Sequence, residues 1–157
     1  MTLRTASEWF EEYGQSHSHP TNERLHAICV PLIVLSVLGL LSSVPVPGAF
    51  GPASPWLNWA TLVAIVALAY YCVLSFRLAA IVACVLVLML LALQGLAALP
   101  WPLWATSLAL FVVGWIGQFI GHAIEGRKPS FFKDVQFLLI GPLWLVMRWL
   151  ARDRVKY

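Results

Sequence analysis

Residues 101–121, WPLWATSLALFVVGWIGQFIG, form an apolar stretch that contains no charged side chain. Its length is close to the roughly 20 residues that a helix needs to cross about 30 Å of hydrocarbon. Three earlier stretches, 27–44, 60–76 and 78–99, are also apolar and of similar length. Together these stretches predict four transmembrane helices that cross a bilayer in series.

The composition of the whole chain also indicates a membrane protein. Of its 157 residues, 61% are hydrophobic and 11% are charged, whereas soluble domains carry about 25% charged residues. The length suits one domain, which we place at residues 1–157. The formal net charge of +3 is modest and is explained by membrane orientation, so we expect no nucleic-acid partner.

The distribution of charge predicts the orientation. The connection 45–59, PVPGAFGPASPWLNW, has no acidic or basic residue, and neither does the turn around Pro100. The ten basic and seven acidic residues therefore lie at the N-terminus, around Arg77, or after Gly121. The positive-inside rule places these regions and both termini in the cytoplasm. We expect no signal peptide, and the short loops favour a bacterial inner membrane, or the endoplasmic reticulum in a eukaryote.

The N-terminal segment is predicted to lie on the membrane surface. It carries an aromatic stripe around Phe10 beside several glutamates, which is typical of an amphipathic helix. This helix must end before Pro20, because proline disfavours helical geometry in the residue that precedes it. Thr21 or Asn22 can then cap the helix of the first apolar stretch.

The C-terminal segment 135–150 is apolar, but we expect it not to cross the membrane. Gly141 and Pro142 interrupt it, and crossing would carry the basic residues that follow to the outer face. A re-entrant or interfacial helical hairpin satisfies both constraints. The predicted fold is therefore all-α: an integral membrane bundle of about four transmembrane helices, with an N-terminal amphipathic helix and this C-terminal hairpin.

The histidines lie beside the first and last apolar stretches, at positions His17, His19, His26 and His122. If the stretches cross in series, these ends share the cytoplasmic face. Asn22 and His26 are four residues apart and therefore share one helical face. Gln118, His122 and Glu125 follow spacings of four and three, which again indicates a single face. The sequence thus predicts two polar faces that meet at one membrane surface.

Three of these imidazoles are candidate metal ligands: His17, His26 and His122. Neutral imidazole beside a carboxamide and a carboxylate suits a divalent transition metal such as iron or zinc. Glu125 could accept a hydrogen bond that fixes the orientation of a ligand ring. It could equally pair with Arg127 or Lys128 at the interface. Ionisable groups near a membrane interior are costly and usually functional.

Two glycines of the fourth stretch predict which helices pack together. Gly117 and Gly121 form a small-xxx-small pair, a pattern that lets a neighbouring helix approach closely. Such packing would bring His26 of the first stretch towards His122.

Two blocks of residues resemble a known family. The first is Tyr13, His17, Asn22, His26 and Pro31, and the second is Gln118-Phe119-Ile120-Gly121-His122 with Glu125 and Lys128-Pro129. Both blocks are similar, in order and spacing, to the signatures of a family of small membrane proteins. That family includes the fungal endoplasmic-reticulum dioxygenase that shortens 2-hydroxy fatty acids by one carbon during phytosphingosine breakdown.

The resemblance implies an Fe(II)-dependent α-oxidation in which molecular oxygen and a long-chain 2-hydroxy fatty acid react at a non-haem iron. Carried over to this chain, it implies metal ligation by the three histidines named above, with His19 as a possible fourth ligand. It also implies orienting or catalytic roles for Asn22, Gln118 and Glu125. The chain lacks the H-x-D/E pair of common non-haem oxygenases, so the implied ligand set is mostly histidine.

Such a substrate agrees with the distribution of polar and apolar residues. Its acyl chain can lie between apolar helices, while Arg24, Arg127 and Lys128 supply positive charge for the carboxylate at the interface. Membrane orientation alone would also explain these basic residues.

Two alternative functions follow from the same residues. In a membrane metallohydrolase acting on a lipid, Glu125 would activate a zinc-bound water. A non-catalytic metal-binding or haem-binding membrane protein would use paired histidines without turnover. Transport is disfavoured, because the sequence shows no inverted repeat and no charge at the centre of a stretch. The oligomeric state is left open.

Overall fold

A computed structural model describes residues 19–48 and 56–126. This part of the chain is helical and contains no strand. Its four helices are α1 (Pro20–Ser42), α2 (Trp59–Leu74), α3 (Phe76–Ala97) and α4 (Leu103–Glu125). The all-α prediction is confirmed. The predicted N-terminal amphipathic helix and C-terminal hairpin lie outside the described residues, and so do His17, Arg127 and Lys128.

Among the described residues, three helices are long and apolar enough to cross a membrane: α1, α3 and α4. This agrees with the prediction of a helical membrane protein. Helix α2 is also apolar but has only 16 residues, which corresponds to about 24 Å at 1.5 Å per residue. A fourth crossing by α2 therefore stays a prediction, as does the assignment of residues 1–157 to one domain.

Helix α2 is bounded by a capping residue at one end and a backbone break at the other. Asn58 precedes it, and its side chain accepts a hydrogen bond from the Thr61 backbone N–H at 3.1 Å. Ser75 follows it in extended conformation, with φ −169° and ψ 127°. The predicted second stretch continued to Phe76, but Phe76 is the first residue of α3. Hydropathy does not detect this break, because both sides of it are apolar.

Helix α1 begins earlier than its apolar stretch. Pro20 occupies the first helical position, where a missing backbone N–H is tolerated. The Thr21 backbone N–H donates to His19 Nδ1 at 3.2 Å, so His19 caps the helix. The prediction that Thr21 or Asn22 is the cap was wrong, because proline starts the helix before either residue.

The chain divides into two compact units, which are described separately. One is Leu32–Val112, and in it Leu38, Ala60 and Leu93 form a buried apolar cluster. Gly39 is required here by a close approach, because a Cβ at this position would overlap the Ser107 hydroxyl. The other unit combines residues up to Pro31 with residues from Val113 onwards, and it contains the described candidate site residues.

Candidate functional site

A cluster of buried polar side chains lies where the first turns of α1 face the last turns of α4. Asn22 is 0% exposed, His26 2%, Gln118 5% and His122 4%. Two of these side chains come from each helix, as the sequence spacings predicted. Polar groups are expensive to bury in a membrane protein unless they have a function or a partner. We call these four residues the polar cluster.

The two histidines of the polar cluster are in direct contact. Their ring centroids are 5.0 Å apart and the ring planes are inclined by 82°, an edge-to-face arrangement. The prediction that the first and last apolar stretches bring His26 and His122 together is confirmed. Both rings belong to the same compact unit.

The ring orientation of His26 is fixed by its own helix. Its Nδ1 lies 3.0 Å from the Asn22 carbonyl oxygen, and since a carbonyl only accepts, Nδ1 carries the proton. The neutral ring then presents Nε2 with a lone pair. Metal-binding histidines are commonly oriented by this kind of hydrogen bond to a backbone carbonyl.

The close approach of α1 and α4 depends on glycine. A Cβ at Gly117 would overlap the Cys29 sulfur, and one at Gly121 would overlap Asn22 Oδ1. The predicted small-xxx-small pair is therefore a real contact surface, and its partner is α1. With larger side chains at these positions, the helices would have to separate or the facing side chains of Cys29 and Asn22 would have to rotate.

Glu125 binds the facing helix. The Asn22 side-chain amide donates a hydrogen bond from Nδ2 to Glu125 Oε2. Asn22 thus contacts Glu125 with its side chain and His26 with its backbone carbonyl. The sequence indicated that Asn22 and Glu125 share a region, but helical spacing identifies faces and not partners. It therefore did not reveal this link.

Two buried polar atoms of the cluster have unused hydrogen-bonding capacity. Gln118 Nε2 and Asn22 Oδ1 have no hydrogen-bond partner among the residues that the structure describes. Gln118 lies one helical turn before His122, so it faces the same side of α4. A buried amide donor without a partner carries a desolvation penalty, which a bound polar ligand would relieve.

His19 and Arg24 are placed differently from the other predicted site residues. His19 immediately precedes α1 and Arg24 lies near its start; both are exposed and lie outside the polar cluster. His19 Nδ1 accepts the Thr21 N–H, so in a neutral ring Nε2 carries the proton and neither nitrogen is available to a metal. Capping the helix and binding a metal therefore exclude each other at His19. The cap was missed because Pro20 was interpreted only as the end of the preceding helix, whereas it is the first residue of α1, and because histidine is not among the usual N-cap residues.

The polar cluster fits part of a transition-metal site. It supplies two contacting imidazoles from different helices, and the Nε2 lone pair of His26 is not used by its hydrogen bond. Within residues 19–48 and 56–126, no three or more His, Cys, Asp or Glu side chains form a group that could hold a metal. The third predicted ligand, His17, is outside these residues.

Comparisons with known proteins identify the family. The model of the Mpo1-like family, described as 2-hydroxy-palmitic acid dioxygenase Mpo1-like, matches residues 3–153. This chain belongs to that family. The 2-hydroxy-palmitic acid dioxygenase MPO1 of Saccharomyces cerevisiae is 26% identical to it over 155 residues, covering 97% of this chain and 82% of the yeast protein. No solved structure matches the chain. The resemblance drawn from the two residue blocks is thus confirmed.

Proposed function

We propose that this membrane protein is an Fe(II)-dependent dioxygenase that shortens a long-chain 2-hydroxy fatty acid by one carbon. Membership in the Mpo1-like family and the name of the yeast relative support the reaction class. The observation that carries the proposal to this chain is the buried contact between His26 and His122. Neutral imidazole is a suitable ligand for iron.

In this proposal three histidines hold the metal: His17, His26 and His122. Bound Fe(II) would supply the electrons that activate molecular oxygen. The hydrogen bond from His26 to the Asn22 carbonyl keeps Nε2 as the ligand nitrogen. Burial of both described rings excludes bulk water from the site, which limits side reactions of activated oxygen.

Gln118 is proposed to orient the substrate. Its side-chain amide is buried and has an unused donor, as far as the described residues show. A substrate carboxylate or 2-hydroxyl oxygen would accept this hydrogen bond. Arg24, Arg127 and Lys128 would attract the carboxylate to the interface. In the balanced overall reaction, one 2-hydroxy acid and one O2 would give three products: the acid that is one carbon shorter, one CO2 and one water.

Product analysis with two acids of equal chain length tests this function. Fe(II)-loaded protein is expected to shorten the 2-hydroxy acid and to act poorly on its unhydroxylated counterpart, because a site built for a hydroxyl rejects a substrate without one. Gln118→Leu keeps the approximate side-chain size and removes the donor, so kcat/KM for the 2-hydroxy acid should fall about tenfold or more. Equal turnover of both acids would contradict the proposal.

We also propose that the site faces the cytoplasm, in a bacterial inner membrane or in the endoplasmic reticulum of a eukaryote. Support comes from the absence of charge in residues 45–59 and from the basic residues at both ends of the chain. In a cysteine-free background expressed in the bacterial inner membrane, Ser54→Cys should react with an impermeant thiol reagent added outside, whereas Tyr157→Cys should react only after permeabilisation. Outside labelling of the Tyr157 position in intact cells would reverse this orientation.

A further inference from the structure

Asn22 is the residue through which the polar parts of α1 and α4 are connected. Its backbone carbonyl accepts from His26 Nδ1, and its side chain donates to Glu125. We propose that Asn22 and Glu125 form a positioning pair that sets the register of α1 against α4, and thereby the relative position of the two histidine rings. For the metal, this inference rests on the proposed function. The helix register itself does not depend on it.

Asn22 is hydrogen-bonded to His26 itself and to Glu125, which lies on the helix of His122. The residue is 0% exposed, so its side chain has no alternative partner in bulk solvent. Its carbonyl holds the ring of His26 one turn later on the same helix. Its amide binds Glu125, which follows His122 by three residues and therefore shares a face with it. A shift of one helix along the other would break the side-chain hydrogen bond and separate the rings.

The glycine surface of α4 makes this position specific. Asn22 Oδ1 lies over Gly121, where a Cβ would overlap it. The amide therefore sits in a gap that only glycine leaves open. An aspartate at position 22 would match its shape but would bring a second carboxylate against Glu125. Shape and charge are thus both matched at this contact.

Glu125 thereby has a positioning role, which differs from that of a proton acceptor. The Asn22 amide donates to Glu125 Oε2 and the Asn22 carbonyl accepts from His26 Nδ1, so this carboxylate is linked to the site through Asn22. Under the metallohydrolase alternative the same carboxylate would have to activate water. Replacing the carboxylate by an amide separates the two roles, because an amide can hold a hydrogen bond but is not a base.

A reversal of the pair tests the proposal. Asn22→Asp should lower the affinity for Co(II), a spectroscopic substitute for Fe(II), by about 10- to 100-fold, the range typical of residues that orient metal ligands. Glu125→Gln keeps a hydrogen bond, now between two amides, and should have a smaller effect. The double variant N22D/E125Q restores an amide-to-carboxylate hydrogen bond with donor and acceptor exchanged. It should recover most of the Co(II) affinity and of the Tm lost in Asn22→Asp.

The readouts separate failure of this inference from failure of the proposed function. If wild-type protein binds no Co(II), the proposed metal site is wrong, and the Tm values alone decide the helix register. If the double variant has neither a higher Tm nor a higher Co(II) affinity than Asn22→Asp, the positioning pair is refuted. If the double variant recovers Tm but not Co(II) affinity, the pair stabilises the contact between the helices without positioning the metal ligands. That result would also overturn the inference for the metal site.

Discussion

Replacing His26 with Asn is expected to remove most of the bound iron while the protein keeps its fold. The asparagine amide can replace Nδ1 as donor to the Asn22 carbonyl, so the hydrogen bond within α1 survives. It supplies no counterpart to Nε2, which is the proposed ligand atom. Loss of a direct ligand should lower the affinity by more than the roughly 10- to 100-fold typical of residues that only orient ligands. His122→Ala should have a similar effect. Metal analysis and far-UV circular dichroism measure the two parts of this prediction.

His19 provides the matched comparison. His19→Asp removes an imidazole from the same end of α1 but leaves a good helix cap, since aspartate is among the preferred N-cap residues. Because the His19 ring already caps the helix and lies outside the polar cluster, the variant should retain its iron. Equal loss of iron in the His19 and His26 variants would restore His19 as a ligand. Full iron occupancy in both the His26 and His122 variants would contradict the proposed metal site.

Gly121→Ala is expected to disturb the polar cluster by adding a single methyl group beside Asn22. The added Cβ would overlap Asn22 Oδ1 and would lie 3.6 Å from the Leu25 Cβ, so α1 and α4 must separate or Asn22 must rotate. Overpacking of this kind destabilises a protein by roughly 1–3 kcal/mol. We expect a lower Tm in detergent and a weaker affinity for Fe(II), because the Asn22–Glu125 hydrogen bond is disturbed.

Gly95→Ala is the control for the general effect of replacing a helical glycine with alanine. Gly95 also lies inside a helix, but a Cβ there would meet nothing within 4 Å. The exchange should be neutral or stabilising, since glycine in a helix interior is roughly 0.5–1 kcal/mol less favourable than alanine. If the two alanine variants have the same Tm and the same metal affinity, the close approach of α1 and α4 at Gly121 is not needed.

The sequence predicted the helices better than it predicted their ends. Hydropathy identified the apolar interior of each helix, because that property determines insertion into a bilayer. It placed the start of the first helix at residue 27 and the end of the last at residue 121, whereas the helices run from Pro20 and to Glu125. These terminal turns were left out because they carry polar side chains, among them Asn22, His26, His122 and Glu125, which lower the local hydropathy.

The polar cluster was predictable in its members but not in its contacts. Spacings of three and four place Asn22 with His26, and Gln118 with His122, on single helical faces. The glycine pair correctly indicated a close neighbour on α4. The Asn22–Glu125 hydrogen bond and the cap formed by His19 depend on side-chain orientation, which periodicity does not encode.

Oxygen uptake by one anaerobically purified preparation, divided and loaded with either Fe(II) or Zn(II), tests the central claim most directly. With a long-chain 2-hydroxy fatty acid, the iron-loaded sample is expected to consume O2 and release the acid one carbon shorter. The zinc-loaded sample should do neither, because zinc has no redox chemistry. Equal turnover with zinc, or product formation under strict anaerobiosis, would contradict the dioxygenase.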